Sequence, residues 1–231
     1  MTRQTAAALA AAAAQVERGL RSLPAVSVDP VRAVRREASK AVRGWAGRDV
    51  VALAGRLFSG SAPEARFLAY ELVQHHPAAA ASLRARDLER FARGLDGWAS
   101  VDTFSCYLAG PAWRAGQVGD RFIARLASSK DRWRRRAALV ATVPLVRGQD
   151  APRDATPRAL SVCDRLLADR DDMVVKAMSW ALRELSKRDP VAVRRYLAAR
   201  GERVAARVRR EVVNKLSTGL KNPRRGAARP R

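Results

Sequence analysis

Trp98 and Asp102 stand four residues apart in this chain, and Trp180 and Arg183 stand three apart. On a helix either spacing puts both side chains on one face. An indole beside a carboxylate, and an indole beside a guanidinium, form a useful chemical set. The carboxylate can stabilise a developing cation or position water. The indole faces can pack on sugar or attract positive charge. The guanidinium can hold a phosphate. Together they suit a surface that grips a nucleic-acid backbone and does chemistry beside it.

The background charge agrees. The chain has 45 Lys and Arg against 22 Asp and Glu, a net +23. That is far more than a small domain needs for solubility. It points to a polyanionic partner, with nucleic acid ahead of an anionic membrane surface. No segment has the length and apolar character of a transmembrane span. The run Ala6–Ala14 contains only Leu9 as a large apolar residue, and polar Gln15, Glu17 and Arg18 follow it. It reads as an Ala-rich amphipathic helix rather than a signal peptide, so a cytoplasmic location is expected. Cys106 and Cys163 are too few for a disulfide framework and are expected to be buried thiols. His75 and His76, just before Pro77, suit capping or solvent; with two distant cysteines they make no zinc set, and no metal is expected.

These residues need positioning elements, and the pattern supplies helices. Ala, Leu, Arg and Glu dominate, with Gly and Pro as punctuation. Pro24 and Pro30 bracket a loop, Ser59–Pro63 and Pro77 mark turns, and Gly94 and Gly97 loosen the chain before Trp98. Gly110-Pro111 is expected to separate two helices. Gly148–Pro157 reads as the longest linker, and Asp189-Pro190 as a helix stop and new start. A faint repeat pairs Lys130-Asp131…Arg136-Ala137 with Arg170-Asp171…Lys176-Ala177 at an offset of 40, with looser copies at Ala65–Ala69 and Arg209–Val213. A period near 40 is the habit of HEAT-like helical pairs. The expected fold is all-α: one HEAT-like domain over residues 1–216, a curved α-solenoid with a concave basic cleft, the alternative being an irregular bundle. Residues 217–231, with Lys221, Arg224, Arg225, Arg229 and Arg231, read as a disordered basic tail adding backbone contacts.

From about Gly97 to Pro223 the chain resembles the DNA alkylation repair family, specifically its AlkD-like HEAT-repeat DNA glycosylases. Four stretches carry the resemblance: Trp98-Ala-Ser-Val-Asp102, Trp133–Ala137, Ser179–Glu184 with Lys187–Pro190, and Asn214–Pro223. The N-terminal part matches more loosely. The resemblance implies a catalytic carboxylate at Asp102, cleft tryptophans at Trp98 and Trp180, and DNA-contacting arginines at Arg136 and Arg183. It implies hydrolysis of the N-glycosidic bond of cationic N3- and N7-alkylated purines, of the 3-methyladenine and 7-methylguanine types, in duplex DNA. No cofactor is required, and the lesion is engaged from the backbone side without a deep base pocket. Ala99 departs from relatives that carry an acid beside the first Trp.

Each residue also has an ordinary reading. Trp98 could be a helix-start aromatic, Asp102 a salt-bridged surface acid, Trp180 core, and the two arginines solvated cations. Trp133 shares a helix face with Arg136 and is expected in the core ahead of the cleft wall. Arg66 and Tyr70, four apart, are weaker candidates for lining the same groove. The competing function is a non-catalytic HEAT-repeat protein that binds branched or distorted DNA. A monomer is expected, since an open single-chain cleft needs no partner subunit.

Overall fold

A computed structural model describes residues 5–24, 27–60 and 62–223. Among the described residues fourteen α-helices follow in chain order. They are α1 (Ala6–Arg21), α2 (Val28–Ala41), α3 (Gly47–Phe58), α4 (Pro63–Gln74), α5 (Pro77–Ala81), α6 (Ala85–Phe91) and α7 (Trp98–Phe104). The rest are α8 (Gly110–Arg114), α9 (Asp120–Ala127), α10 (Arg132–Val146), α11 (Ala155–Arg165), α12 (Asp172–Arg188), α13 (Pro190–Arg200) and α14 (Ala206–Thr218). Among the described residues there is no strand.

Local chemistry starts these helices where the sequence suggests. Orphan N–H groups at a helix start need acceptors. Asp131 accepts from the N–H of Trp133 at 2.8 Å, and Asp171 accepts from that of Met173 at 2.9 Å. These caps are the Asp pair of the 40-residue repeat, so the repeat marks equivalent starts of α10 and α12. Asp189 caps α13 through Ala192, and His76 Nδ1 caps α5 through Ala79. The expected capping role therefore falls on His76, while His75 is exposed.

The helices stack in two layers. In one, α2, α4, α7, α10, α12 and α14 follow one another; α1, α3, α9, α11 and α13 flank them in the other, with α5 and α6 against α3. Side-chain bonds show that α7, α10, α12 and α14 run parallel. Asp102 meets Arg136 and Ser105 meets Ala137; Arg136 meets Met173 and Arg147 meets Glu184; Asp172 meets Arg207 and Ser179 meets Glu211. Both numbers rise together in each case. Parallel neighbours in a helical chain require an intervening return helix, which is the logic of stacked helical pairs and is consistent with an α-solenoid.

The core is built largely of Ala, Leu and Val between the layers. Near its N-terminal half it adds an aromatic cluster of Phe58, Tyr70, Phe91 and Phe104, with ring centroids from 5.3 to 6.0 Å apart.

Several sequence expectations need correction. Gly110-Pro111 does not separate two helices: helical backbone runs from Trp98 to Arg114, with a π-helical turn over Ser105–Ala109. Pro111 has no N–H to give, and the Gly110 N–H reaches back five residues to the Ser105 carbonyl, so the chain widens instead of breaking. Gly110 also lies directly against α10, where a Cβ would collide with Pro144 Cγ and stand 2.7 Å from the Ala141 carbonyl. Pro30 and Pro157 sit inside the first turns of α2 and α11, where a missing N–H costs nothing. The linker thus ends at Asp154. The boundary expected after residue 216 falls within α14, which closes at Gly219 in the left-handed conformation (φ 76°). Asn214 then holds the carbonyl of Lys221 at 3.2 Å. Arg224, Arg225, Arg229 and Arg231 of the expected tail lie outside the described residues.

Candidate active site

Asp102 sits one turn into α7, and its carboxylate meets Arg136 of α10. Arg136 Nη2 donates to both carboxylate oxygens, at 2.8 and 3.0 Å, and Nε donates to Oδ1 at 3.1 Å. Nη1 donates to the Met173 carbonyl at the start of α12, at 2.8 Å. One guanidinium therefore ties three successive helices of a layer together. Arg136 is only 6% exposed, while Asp102 is partly open to solvent. Burial pushes the Asp102 carboxyl above its ordinary pKa, and the charge and hydrogen bonds of Arg136 pull against that shift.

Arg136 was expected to hold phosphate. Its guanidinium is buried and committed to Asp102 and Met173, so here it orients the carboxylate instead. Arg183 differs: it is half-buried on α12, and its Nε donates to Ser179 Oγ at 3.2 Å. Ser179 in turn donates to the buried Glu211 of α14 at 2.5 Å. Burial lowers the Arg183 pKa, with Glu211 and Glu184 opposing.

The tryptophans separate by exposure. Trp98 is 61% exposed, one turn before Asp102 on α7. Its helix start is braced: the Asp96 and Gly97 N–H groups donate to Ser100 Oγ, and Ser100 donates to Asp96 Oδ1. Trp180 is half-buried, three residues before Arg183. Trp113 is fully buried and gives its Nε1–H to Asp120 at 2.7 Å, a structural residue. Trp133 is half-buried against the core, with Arg132 stacked 4.8 Å from its ring centroid.

Tyr70 does not line a groove. It is 1% exposed within the aromatic cluster, and its hydroxyl donates to the Phe91 carbonyl at 3.0 Å. The Tyr70–Arg66 spacing is helical, but neighbouring helices decide which face is covered. Arg66 pairs with Asp96 at 3.3 Å, so it bridges α4 to the turn that begins α7 and presents Trp98.

Three neighbours, Cys106, Glu184 and Arg147, were given no site role by the sequence. Cys106, expected to be buried like Cys163, is only half-buried in the π-helical turn, one turn beyond Asp102. Burial raises its thiol to about 11; Asp102 and Glu184 also raise it, and Arg147 and Arg136 lower it. It is thus within electrostatic reach of two ion pairs, Asp102–Arg136 and Glu184–Arg147. The signal available in sequence was that Arg147 follows Arg136 by eleven residues, three helical turns on one face.

Of these side chains Trp98 is exposed, and Asp102, Trp180, Arg183 and Cys106 are partly exposed. A groove of about 750 Å³ between α11 and α13, lined by Leu160, Asp164, Tyr196 and Arg200 among others, includes none of them. Among the described residues no group of three or more His, Cys, Asp or Glu is placed to hold a metal ion, and no helix is long and apolar enough to cross a membrane.

A family described as DNA alkylation repair enzyme matches the chain over residues 4–216. Comparison with curated proteins gives no match.

Proposed function

The chain belongs to the DNA alkylation repair enzyme family, and from that premise we propose that it is a glycosylase for cationic N3- and N7-alkylated purines in duplex DNA. The observation that carries this reading is a carboxylate, Asp102, held in fixed orientation by a buried guanidinium beside an exposed indole, Trp98.

Alkylation at N3 or N7 puts a positive charge on the purine. When the N-glycosidic bond breaks, its electron pair goes to the base, which leaves neutral. The deoxyribose keeps oxocarbenium character at C1′. A carboxylate nearby stabilises that charge, and water adds at C1′ and gives up a proton. Little general-acid help is needed, so one carboxylate suffices where most sugar-cleaving enzymes use two. Arg136 costs Asp102 part of its charge but fixes its direction, and preorganised charge avoids reorganisation during the reaction. Trp98 and Trp180 supply faces for sugar and backbone, and Arg183 a phosphate contact. In this reading the layer of α7, α10 and α12 is the concave, basic side of a curved solenoid, and the protein acts as a monomer on DNA.

The test is direct. Purified protein is incubated with duplex DNA methylated at N7 of guanine, and free base is measured. Protein that is folded and DNA-bound yet releases no base sinks the proposal. One observation favours binding without catalysis: the Asp102 carboxylate is already engaged by Arg136. Asp102→Asn separates the readings, since only an enzyme loses base release while keeping DNA affinity.

A further inference from the structure

Arg147 is the residue that closes α10, and both its backbone and its side chain are held. Arg114 Nη1 donates to the Arg147 carbonyl at 2.6 Å and to the Pro144 carbonyl at 2.9 Å. The following loop is fastened by Arg188, which reaches the carbonyls of Gly148 and Ala151 at 3.3 Å each. Arg114 Nη2 adds an ion pair with Asp150 at 2.6 Å. The side chain is steered by Glu184 of α12, whose Oε1 accepts from Arg147 Nε at 3.2 Å. Glu184 is a buried carboxylate that also holds Lys187 Nζ at 2.9 Å.

The outcome is a guanidinium with a fixed root and an open end. The Arg147 side chain is 58% exposed, and its bond to Glu184 uses Nε alone. Two cations share one acid, so the cluster stays positive, and Arg183 stands next to Glu184 in sequence. A pre-set, outward guanidinium is suited to a phosphate, which takes two of its N–H donors side by side.

Its place on the molecule is equally specific. Arg147 follows Arg136 by eleven residues, about 16 Å of helical rise, at the cap where the backbone leaves α10. Helical backbone runs from Trp98 past Asp102 and Cys106 to Arg114, and Arg114 meets the Arg147 carbonyl. The order along the surface is therefore Trp98, Asp102, Cys106, Arg147. Arg136 is buried in its pair with Asp102, whereas Arg147, the residue that follows α10, presents an open guanidinium.

We infer that Arg147, positioned by Glu184, is a phosphate-binding residue of the DNA interface, on the side of Asp102 away from Trp98. This rests on the reading of the Asp102 face as the DNA-binding face. Glu184 acts through Arg147 and is a positioning residue.

The experiment is a set of anisotropy titrations of unmodified duplex with the full chain over a range of salt concentrations. Wild type is compared with Arg147→Gln, Arg147→Lys and Arg165→Gln, the last removing an exposed charge at the end of α11 in the other layer. Each phosphate contact contributes about 0.9 to the slope of log K against log salt. Arg147→Gln is expected to lower the slope by about that amount, Arg147→Lys to keep it, and Arg165→Gln to leave it unchanged. A loss of packing alone would not follow this charge pattern, and melting curves confirm that each variant is folded. An unchanged slope in Arg147→Gln overturns the inference while leaving the glycosylase reading intact. An equal drop in Arg165→Gln also overturns it, because overall charge then explains the effect. Wild type without salt-dependent DNA binding removes both.

Discussion

The Arg136 guanidinium grips the Asp102 carboxylate through Nη2 at 2.8 and 3.0 Å and through Nε at 3.1 Å. A residue whose type suggests a DNA clamp thus serves the carboxylate instead. The pair makes binding and catalysis separable by mutation.

Asp102→Asn is nearly isosteric and removes the charge. We expect release of 7-methylguanine to fall about 100-fold or more, the scale seen when a preorganised electrostatic group is lost. DNA affinity should stay equal or rise, since one negative charge leaves the interface. Release at the wild-type rate would remove Asp102 from the reaction.

The Asp102–Arg136 pair also predicts a pH effect. Burial holds the Asp102 pKa above its ordinary value of 3.8, and Arg136 limits the rise. The carboxylate is the active form, so base release should decline as pH falls through that raised pKa. Arg136→Gln removes the opposing charge and should move this acidic limb to higher pH. The linkage sign for stability is the reverse: the folded state binds this proton more readily than the unfolded state, so the contribution of Asp102 to stability falls as pH rises through the window above 3.8. Arg136→Gln should also destabilise the fold, by less than the roughly 3–5 kcal/mol of a fully buried pair, because it leaves a partly buried carboxylate without its partner. A pH–rate profile with an unmoved limb would show that the pair is not coupled to the chemistry.

The indoles should part company. Trp113→Ala empties a sealed site and should destabilise the fold by about 3–5 kcal/mol. Trp98→Ala removes a largely exposed ring and should shift stability by no more than about 0.5 kcal/mol, yet impair base release. Thermal melts paired with release assays distinguish the two. Full activity in Trp98→Ala would make that ring incidental.

Arg183 and Arg136 should differ in salt titrations. Arg183→Ala is expected to reduce the salt slope by about 0.9, with no change in sequence preference. Arg136→Ala should leave the slope near wild type, because its guanidinium is buried against Asp102. Equal slopes for Arg183→Ala and wild type would place Arg183 outside the DNA contact.

Glu211 should mark acid stability. Burial would raise its pKa, but hydrogen bonds from Ser179 and Arg207 and the charges of Lys221 and Arg207 together hold it below the ordinary 4.5. Its stabilising contribution is therefore present above pH 4.5 and lost as pH falls through the depressed value. Glu211→Gln should lower the melting temperature at pH 7 and flatten its decline below pH 4.5. An unchanged acid profile would rule out that linkage.

How far the sequence carried depends on the range of the interactions involved. Asp189 announced a helix start because capping acts over two or three residues, and Asp131 and Asp171, read only as a repeat, are caps of the same kind. The 40-residue offset announced stacked pairs because equivalent caps and buried Ala positions recur with the pair. Trp98 and Asp102 could be placed on one face from spacing alone. Gly110-Pro111 misled because a local breaker signal says nothing of the neighbour against which it packs: α10 at Pro144 and Ala141 fits Gly110, and a π turn absorbs the proline.

The sequence by itself thus determined an all-helical, strongly basic chain and its stacked-pair rhythm, since composition, capping and periodicity are local properties; the candidate residues for glycosidic chemistry came from the family resemblance. Only the tertiary structure decided that Tyr70 is core, that Arg136 belongs to Asp102, and that Arg147 stands open beside Glu184. Those outcomes turn on partners 21, 34 and 37 residues away. A helix's own sequence says which residues share a face, but the burial and charge of that face are set by the helix packed against it.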